Sequence, residues 1–301
     1  MLTRFICPLV LVGCCTFLTQ EIASGAIIAG YDPVRHDRFL DTGAANPDFF
    51  LNESQLSGVA LSRAVLITPR HYITAAHVTT NTVTFRGTDG VQRTYDSDRS
   101  AVMLTEDSEG QLVQSDIRVH RLSEQVDASI RPVPIVVGDL QALVGQTLIA
   151  IDQNQRAGRN VIDGIQVIEF SSGARDTLTT RISYDTPENG GAGGLGADEI
   201  GLLSGDSGFA SLIELDGEIG VLGAHMAIAV PDGNNAAAGD RYDSFSTLIG
   251  GYESQLNDFV SFDGFSFNTI NITAVPESGT ACIWLFAVAL SVRRKRARQG
   301  L

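Results

Sequence analysis

Short runs of apolar and β-branched residues, separated by turn residues, dominate the chain between residues 27 and 262. Two of them, 82–86 and 91–95, alternate apolar with polar residues around Thr88-Asp89-Gly90, which is typical of a β-hairpin. Further runs lie at 57–68, 72–76, 133–137, 147–151, 161–170, 178–184, 209–215 and 219–224. Many short strands with little helix predict an all-β domain, either a barrel or a sandwich.

One late segment has a helical period instead. In residues 245–260 the apolar positions recur near every 3.6 residues, although Gly250-Gly251 weakens the pattern. Its apolar positions are Leu248, Ile249, Tyr252, Leu256 and Phe259 or Val260. The pattern predicts one helix at the C-terminal end of the domain.

The N-terminal segment, residues 1–26, has the form of a secretory signal peptide: one Arg, an apolar run and then small residues. Two cleavage sites are open. Cleavage after Ala26 leaves Ile27 as the first residue, whereas residues 11–14 resemble a lipoprotein box that would place a lipid on Cys14. The first is favoured because the apolar stretch continues past Cys14.

The C-terminal segment, residues 275–301, has the order Val-Pro-Glu, apolar stretch, arginine cluster. It resembles the PEP-CTERM sorting signal that exosortases process, although Ser278 stands where that signal usually has a second Pro. Residues 281–292 are fewer than the roughly 20 that a stable membrane span needs, and a plain tail anchor is the alternative. Residues 263–274 then act as a spacer.

These ends predict an exported protein at the cell surface, associated with the outer membrane, or in an extracellular matrix. Signal peptidase and an exosortase-type enzyme are the expected processing partners. Membrane contact is expected only through the terminal segments.

Charge and cysteine content exclude several functions for residues 27–274. The whole chain has a net charge of −14, and this stretch holds 33 of its 35 acidic residues, 15 arginines and no lysine. Such a surface is unsuited to binding nucleic acid. The cysteines are confined to the terminal segments, at Cys7, Cys14, Cys15 and Cys282. The domain therefore has no disulfide, cysteine nucleophile or cysteine zinc site, and we assign it no metal and no cofactor.

Two short motifs carry candidate chemistry. The first, Ile-Thr-Ala-Ala-His, ends at His77, and the second, Ser-Gly-Asp-Ser-Gly, contains Ser207. A serine hydroxyl is a poor nucleophile at neutral pH, and a histidine can take its proton and return it to a leaving amine. The glycines around Ser207 permit the tight turn that exposes a nucleophile.

In this order, the two motifs resemble those of the chymotrypsin-like serine proteases, and the resemblance covers most of 27–262. It implies an all-β fold of two packed six-stranded β-barrels with a C-terminal helix. It also implies a serine-type endopeptidase in which Ser207 attacks, His77 is the base, and the N–H groups of Gly205 and Ser207 form the oxyanion hole.

The resemblance also requires a carboxylate that orients the histidine. Asp116 opens a stretch, D-I-R-V-H-R-L-S-E-Q-V, that is similar to the family's segment around its acid, and we expect Asp116 to fill this role. Asp127 is the alternative. Arg118 and His120 depart from the family pattern, and His120 is expected on the exposed face of its strand.

Residues 27–30, Ile-Ile-Ala-Gly, resemble the mature N-terminus of the family. In the family, a free N-terminal ammonium pairs with the acid before the serine, here Asp206. Cleavage after Ala26 would therefore create the Ile27 ammonium during export, without a separate activating protease. An enzyme that stays silent until it is cut elsewhere is the other possibility.

The resemblance places the specificity pocket at Gly201, Leu202 and His225. Gly201 stands where trypsin-like members carry an acid, so a preference for Lys or Arg is not expected, although Asp198 and Glu199 lie close in sequence. A small apolar preference is the first expectation. A preference for Glu is the alternative, because residues 222–225 are similar to the histidine-containing segment of glutamate-specific members.

The sequence therefore predicts a secreted endopeptidase that acts on proteins or peptides. The competing interpretation is a catalytically inactive, protease-like protein that binds a surface or matrix. It is kept open by Arg118, by His120 and by Phe209, which replaces the second glycine of the common G-D-S-G-G sequence.

Overall fold

A computed structural model describes residues 25–107, 109–170, 175–191, 194–230, 236–237 and 239–273. Nearly all of the signal peptide predicted at 1–26, and the whole sorting signal predicted at 275–301, lie outside the described residues. So do the four cysteines, Cys7, Cys14, Cys15 and Cys282. In the part of the chain that is described, no helix is both long and apolar enough to cross a membrane.

The described residues form a mostly β structure with one substantial helix near the C-terminal end. The strands are β1 Ile27–Ile28, β2 Val65–Thr68, β3 His71–Ala75, β4 Thr82–Arg86, β5 Gln92–Glu106, β6 Leu112–Leu122, β7 Ile135–Gly138, β8 Thr147–Ile151, β9 Ala157–Val161, β10 Gly164–Phe170, β11 Arg175–Tyr184, β12 Ile200–Gly201, β13 Ala210–Leu215, β14 Glu218–Ala229, β15 Tyr242–Thr247 and β16 Thr269–Ile272. The helices are α1 Pro33–His36 and α2 Glu253–Ser261.

Five antiparallel strands form the first sheet, in the order β2-β3-β6-β5-β4. The predicted hairpin is confirmed, because β4 pairs with the first five residues of β5. The sheet curls until Leu61, just before β2, donates its N–H to the carbonyl of Thr84 on β4 at 2.8 Å. Alternate side chains of β3 enter different cores: Tyr72 packs inside this curl, and Ile73 packs in the larger core shared with the second sheet.

The second sheet has nine strands. Its main path is β10-β11-β15-β14-β13-β8-β9, and β7 joins it by pairing in parallel with both β14 and β16. Strand pairing among the described residues thus gives a five-stranded and a nine-stranded curled sheet, together with the short pair of β1 and β12, and it does not confirm the two six-stranded barrels that the sequence predicts. The first sheet is not closed by strand pairing, because its two edge strands, β2 and β4, do not pair with each other.

The predicted C-terminal helix is present, but it begins later than the pattern indicated. Residues up to Thr247 form β15, a 3-10 turn covers Ile249–Tyr252, and α2 starts at Glu253. β15 is paired with β11 on one side and β14 on the other, so its backbone groups are satisfied in the sheet. This tertiary pairing overrides a helical period that is local.

His120 is buried, which corrects the expectation that it lies on an exposed face. Strand β6 runs between β3 and β5, and the His120 ring stacks on Tyr72 with 4.6 Å between ring centroids. Burial lowers the pKa of His120 to about 4, so the ring is neutral at pH 7. Its position within the core of the first sheet gives it a packing role.

Residues 263–273, which the sequence treats as a spacer, pack on the sheets. Strand β16 pairs residue by residue with β7, from Thr269 opposite Ile135 to Ile272 opposite Gly138. Asp263, just after α2, binds Arg99 at 3.0 Å and Arg121 at 2.9 Å, and it lies 3.1 Å from His71. The spacer segment is thus joined to the body as far as it is described.

We expect the Asp263→Asn substitution to lower the free energy of unfolding by about 2 kcal/mol at pH 7, because it removes two ion pairs from a shielded carboxylate. Burial acts to raise the pKa of Asp263, but hydrogen bonds from Arg121 and His71 outweigh it and hold that pKa below its usual value. The difference in unfolding free energy between wild type and Asp263→Asn should therefore be largest above the ordinary carboxyl pKa. It should vanish as the pH falls through the lowered pKa of Asp263.

Urea unfolding from pH 2 to pH 8 measures this difference. Asp258→Asn is the control, since Asp258 is an exposed acid on α2. Equal losses in the two variants would contradict the role of Asp263.

Candidate active site

Asp116 and His77 come together where the first sheet turns toward the second. His77 follows β3, Asp116 lies in β6, and the pairing of Ala75 with Ile117 brings them side by side. One carboxylate oxygen of Asp116 accepts the backbone N–H of His77 at 2.8 Å, and the other lies 2.7 Å from Nδ1 of its ring. The acid therefore fixes both the main chain and the ring of the histidine.

The burial of this pair decides what the ring can do. The Asp116 side chain has no exposed surface, while 24% of the His77 side chain is exposed. A carboxylate at Nδ1 holds the proton on that nitrogen, so the neutral ring keeps its lone pair on Nε2. The N–H of Asp116 donates to the hydroxyl of Thr177 on β11 at 2.7 Å, which ties the acid to the second sheet.

Asp127, the alternative acid, lies elsewhere. Its side chain is 46% exposed and accepts hydrogen bonds from the N–H and hydroxyl of Ser129. The Ser129 hydroxyl lowers the pKa of Asp127, and Arg93 stands 3.9 Å away. The structure thus places Asp116, and not Asp127, against His77.

Ser207 lies in a tight turn between β12 and β13. Gly205 and Gly208 have φ of +107° and +85°, a region that side-chain-bearing residues rarely adopt. The Gly208 N–H donates to the carbonyl of His225 at 2.8 Å, which fixes the turn to β14. The N–H groups of Gly205 and Ser207 donate to no other group within the described residues, so they remain available as donors.

His77 and Ser207 line the same cavity, whose volume is about 410 Å³. The other residues around it are Leu202, Leu203, Ser204, Asp206, His225, Met226, Ala227 and Ile228. The histidine comes from the first sheet, and the serine and the walls come from the second. The structure therefore brings His77, Asp116 and Ser207 to one place.

Two of the three expected pocket residues, Leu202 and His225, line this cavity, and Gly201 does not. A Cβ atom on Gly201 would collide with the Tyr242 hydroxyl and with the side chain of Tyr184. Gly201 is therefore packed against these tyrosines, and we correct its assignment to the pocket lining.

Both ring nitrogens of His225 face protein groups. Nε2 donates to the carbonyl of Ile151 at 3.0 Å, and Nδ1 lies 3.0 and 3.2 Å from the hydroxyls of Ser211 and Ser246. Full burial lowers the pKa of His225 to about 4. The ring is thus neutral at pH 7, and its N–H is already used by the backbone.

Asp206 is buried, and within the described residues it forms no ion pair. It accepts the N–H groups of Gln153 and Leu203 at 3.2 and 2.9 Å. The guanidinium of Arg156 pairs instead with Asp152, another buried acid, and donates to the carbonyl of Ala26. Burial raises the pKa of Asp206 to about 6.

Ile27 is not paired with Asp206 in this chain, in which Gly25 and Ala26 precede it. Ile27 instead pairs with Gly201 in the short antiparallel ladder of β1 and β12, and Ala26 is buried in a core cluster. An Ile27 ammonium exists only after the chain is cut, so its pairing with Asp206 stays a prediction.

Arg63 is a neighbour of the nucleophile turn that the sequence did not single out. It donates to the carbonyl of Gly205 at 3.1 Å, and its guanidinium lies 5.9 Å from the ring centroid of Phe209. Its position before β2 shows no pattern that would have revealed this contact. Only the approach of the two sheets brings it there.

No protein-family model and no curated protein matches the chain. Among the described residues, no group of three His, Cys, Asp or Glu side chains is placed to hold a metal ion.

The Asp206 carboxyl gives a prediction for the uncut chain. Because its pKa is raised in the folded state, its contribution to stability is full below the unfolded pKa of about 4 and is lost as pH rises through about 6. A shift of roughly 2 units corresponds to about 3 kcal/mol. Between pH 3 and pH 8 the uncut wild type should lose about 3 kcal/mol more than Asp206→Asn.

Urea unfolding of both proteins measures this loss, with Asp258→Asn again as the control for an exposed acid. Parallel pH profiles for wild type and Asp206→Asn would show that Asp206 does not titrate in this range.

Proposed function

We propose that this protein is an exported serine endopeptidase with a chymotrypsin-like, two-barrel arrangement of its two curled sheets. The observation that carries the proposal is the buried Asp116 carboxylate bound to His77, which lines one cavity with Ser207. Residues that lie far apart in the sequence thus supply an acid bound to a base, and a hydroxyl that lines the same cavity as the base, which are the groups that acyl transfer needs.

The reaction follows from these groups. Ser207 Oγ attacks the substrate carbonyl carbon, and its proton passes to Nε2 of His77. The C–N bond then breaks, His77 gives the proton to the departing amine, and an acyl ester remains on Ser207. Water, deprotonated by His77, cleaves the ester and restores the hydroxyl. Asp116 stabilises the imidazolium that forms in both steps.

The developing negative charge needs donors close to the attacked carbonyl. The N–H groups of Gly205 and Ser207, which have no hydrogen-bond partner within the described residues, are the candidates, and the two glycines with positive φ hold them in the turn. Removing one such donor typically costs about 10²- to 10³-fold in rate.

The cavity walls favour an apolar residue before the scissile bond. Asp198 and Glu199 do not line the cavity: Asp198 binds Arg35 at 2.6 Å, and Glu199 accepts backbone N–H groups. Asp206 lines it, but its oxygens face the backbone N–H groups of Gln153 and Leu203. With His225 neutral and fully bonded, the ring has no free N–H for a substrate carboxylate.

We place the active protein outside the cell, delivered by the N-terminal segment and sorted to the surface or matrix by the C-terminal one. N-terminal sequencing of the exported protein tests this route. A first residue of Ile27 supports it together with activation by signal peptidase. A lipidated Cys14, or any other start, would overturn that activation.

A fluorophosphonate probe should label Ser207 of the exported protein. Labelling should be absent in Ser207→Ala, and about three to four orders of magnitude slower in Asp116→Asn, since the histidine would lose its correct tautomer. Asp127→Asn is the matched control and should react like the wild type. If folded wild type carrying Ile27 as its first residue is not labelled, the protein is a protease-like binding protein instead.

Peptides that differ only before the scissile bond should separate the expected preferences. Ala, Val or Leu there should exceed Lys by about 100-fold in kcat/KM, because a charge would be buried without a partner. Glu should be cleaved more slowly than Gln for the same reason, because its carboxylate would also be buried without a partner. A clear advantage of Glu over Gln would instead assign a carboxylate-binding role to His225.

A further inference from the structure

A second cavity lies next to the nucleophile turn, on the side of the histidine. Its volume is about 410 Å³. It is lined by Val78, Thr79 and Thr80, which follow His77, by Phe209, which follows the turn of Ser207, and by Gln153, whose side chain lies close to Gly205. In the proposed reaction, His77 must give its proton to the departing amine. The part of the substrate after the scissile bond therefore leaves along this wall.

Arg63 is the only charged side chain among the residues that line this cavity. It is half-buried and forms no ion pair with any acid in the described part of the chain. Its one hydrogen bond there runs from Nη2 to the carbonyl of Gly205, at 3.1 Å. In a chain with 35 acids and 21 bases, a shielded guanidinium without a carboxylate, beside the nucleophile, has unused capacity to bind an anion.

The surrounding groups add neutral polar partners. The Thr79 hydroxyl and the Gln153 side-chain amide make no hydrogen bond within the described residues, and Ser62 Oγ is buried there without a partner. These groups suit an oxygen-rich ligand group, and none of them carries a negative charge that would repel it. An apolar ligand would leave the guanidinium and the hydroxyl unsatisfied.

The main chain holds Arg63 in place. A Cβ atom on Gly208 would lie 2.8 Å from Cβ of Arg63, so the arginine stem crosses closely over the backbone directly after Ser207. Its guanidinium then reaches the Phe209 ring. Phe209, which the sequence analysis treated as a departure from the family pattern, thus forms a platform for a cation.

The geometry points to Arg63 as a specificity-determining residue that binds a carboxylate on the leaving-group side of the substrate. The carboxylate is that of an Asp or Glu shortly after the scissile bond, or the free C-terminus of a short peptide. This proposal rests on the proposed endopeptidase function and adds its substrate class: an apolar residue before the bond and an anion after it.

The test uses the full chain, purified after export, and a series of peptides that share Ala before the scissile bond. The position two residues after the bond carries Asp, Asn or Lys, and each peptide is made with a free and an amidated C-terminus. In the wild type, Asp should exceed Asn by about tenfold in kcat/KM, mainly through a lower KM, and Lys should be the poorest. If the free C-terminus raises kcat/KM over the amidated one and Asp does not exceed Asn, the carboxylate that binds Arg63 is that of the peptide's C-terminus.

Arg63→Gln should abolish the ratio of Asp to Asn, and Arg63→Lys should restore part of it. Arg86→Gln is the matched control: Arg86 also stacks over a phenylalanine, Phe39, at 5.1 Å and donates to backbone carbonyls, but it lies outside this cavity. It should keep the wild-type ratio.

Several outcomes would overturn the proposal. If Arg63→Gln slows all peptides and fluorophosphonate labelling equally, Arg63 only braces the Gly205 carbonyl. If the wild type is labelled and cleaves peptides without preferring Asp to Asn or a free C-terminus to an amide, the endopeptidase stands and the carboxylate site fails. If the wild type neither labels nor cleaves, the proposed function fails first and the carboxylate site with it.

Discussion

The Asp116 carboxylate is the point on which the arrangement of the site depends. One of its oxygens accepts the backbone N–H of His77, and the other is bound to Nδ1 of the His77 ring. The register of β3 against β6 therefore sets the direction of the imidazole. The backbone N–H of Asp116 donates to the hydroxyl of Thr177 on β11, a strand of the other sheet. One buried acid thus relates the sheet that supplies the histidine to the sheet that supplies Ser207. Burying a carboxylate is costly unless its oxygens accept hydrogen bonds, and both oxygens of Asp116 are within hydrogen-bond distance of His77 nitrogens.

Sequence patterns predicted the features that depend on neighbouring residues in the chain. They did not predict contacts between segments that are distant in the sequence. The hairpin of β4 and β5 was predictable because its turn and alternation lie within fifteen residues. The helix start, the burial of His120 and the pairing of β16 with β7 were not, because each depends on a neighbour more than forty residues away in the chain. At the site, motifs indicated His77, Asp116 and Ser207. The contacts of Gly201 and Arg63 arise only where the chain packs on itself.

Shielded acids in the described part of the chain are stabilised in two ways. Asp198 and Asp263, which are both shielded, each lie beside two arginines and a histidine. Within the described residues, Asp206 and Glu199 accept backbone N–H groups and form no ion pair, and burial raises the pKa of each. Asp206 and Arg63, neither of which has an ion-pair partner among the described residues, both lie around the turn of Ser207. At the turn of Ser207, a ligand or a new chain terminus could meet these two charges.

The parallel pairing of β16 with β7 has a mechanical consequence. A tether attached beyond residue 273 transmits its pull first to β16, whose four residues are aligned with those of β7. When the force runs along the strands, the backbone hydrogen bonds of this pair are loaded together in shear, and they resist far more than bonds that are opened one at a time. The last described strand can therefore serve as a clamp, which passes a pull on the C-terminal side into β7 as shear and spreads it over the four residue pairs that join β16 to the second sheet.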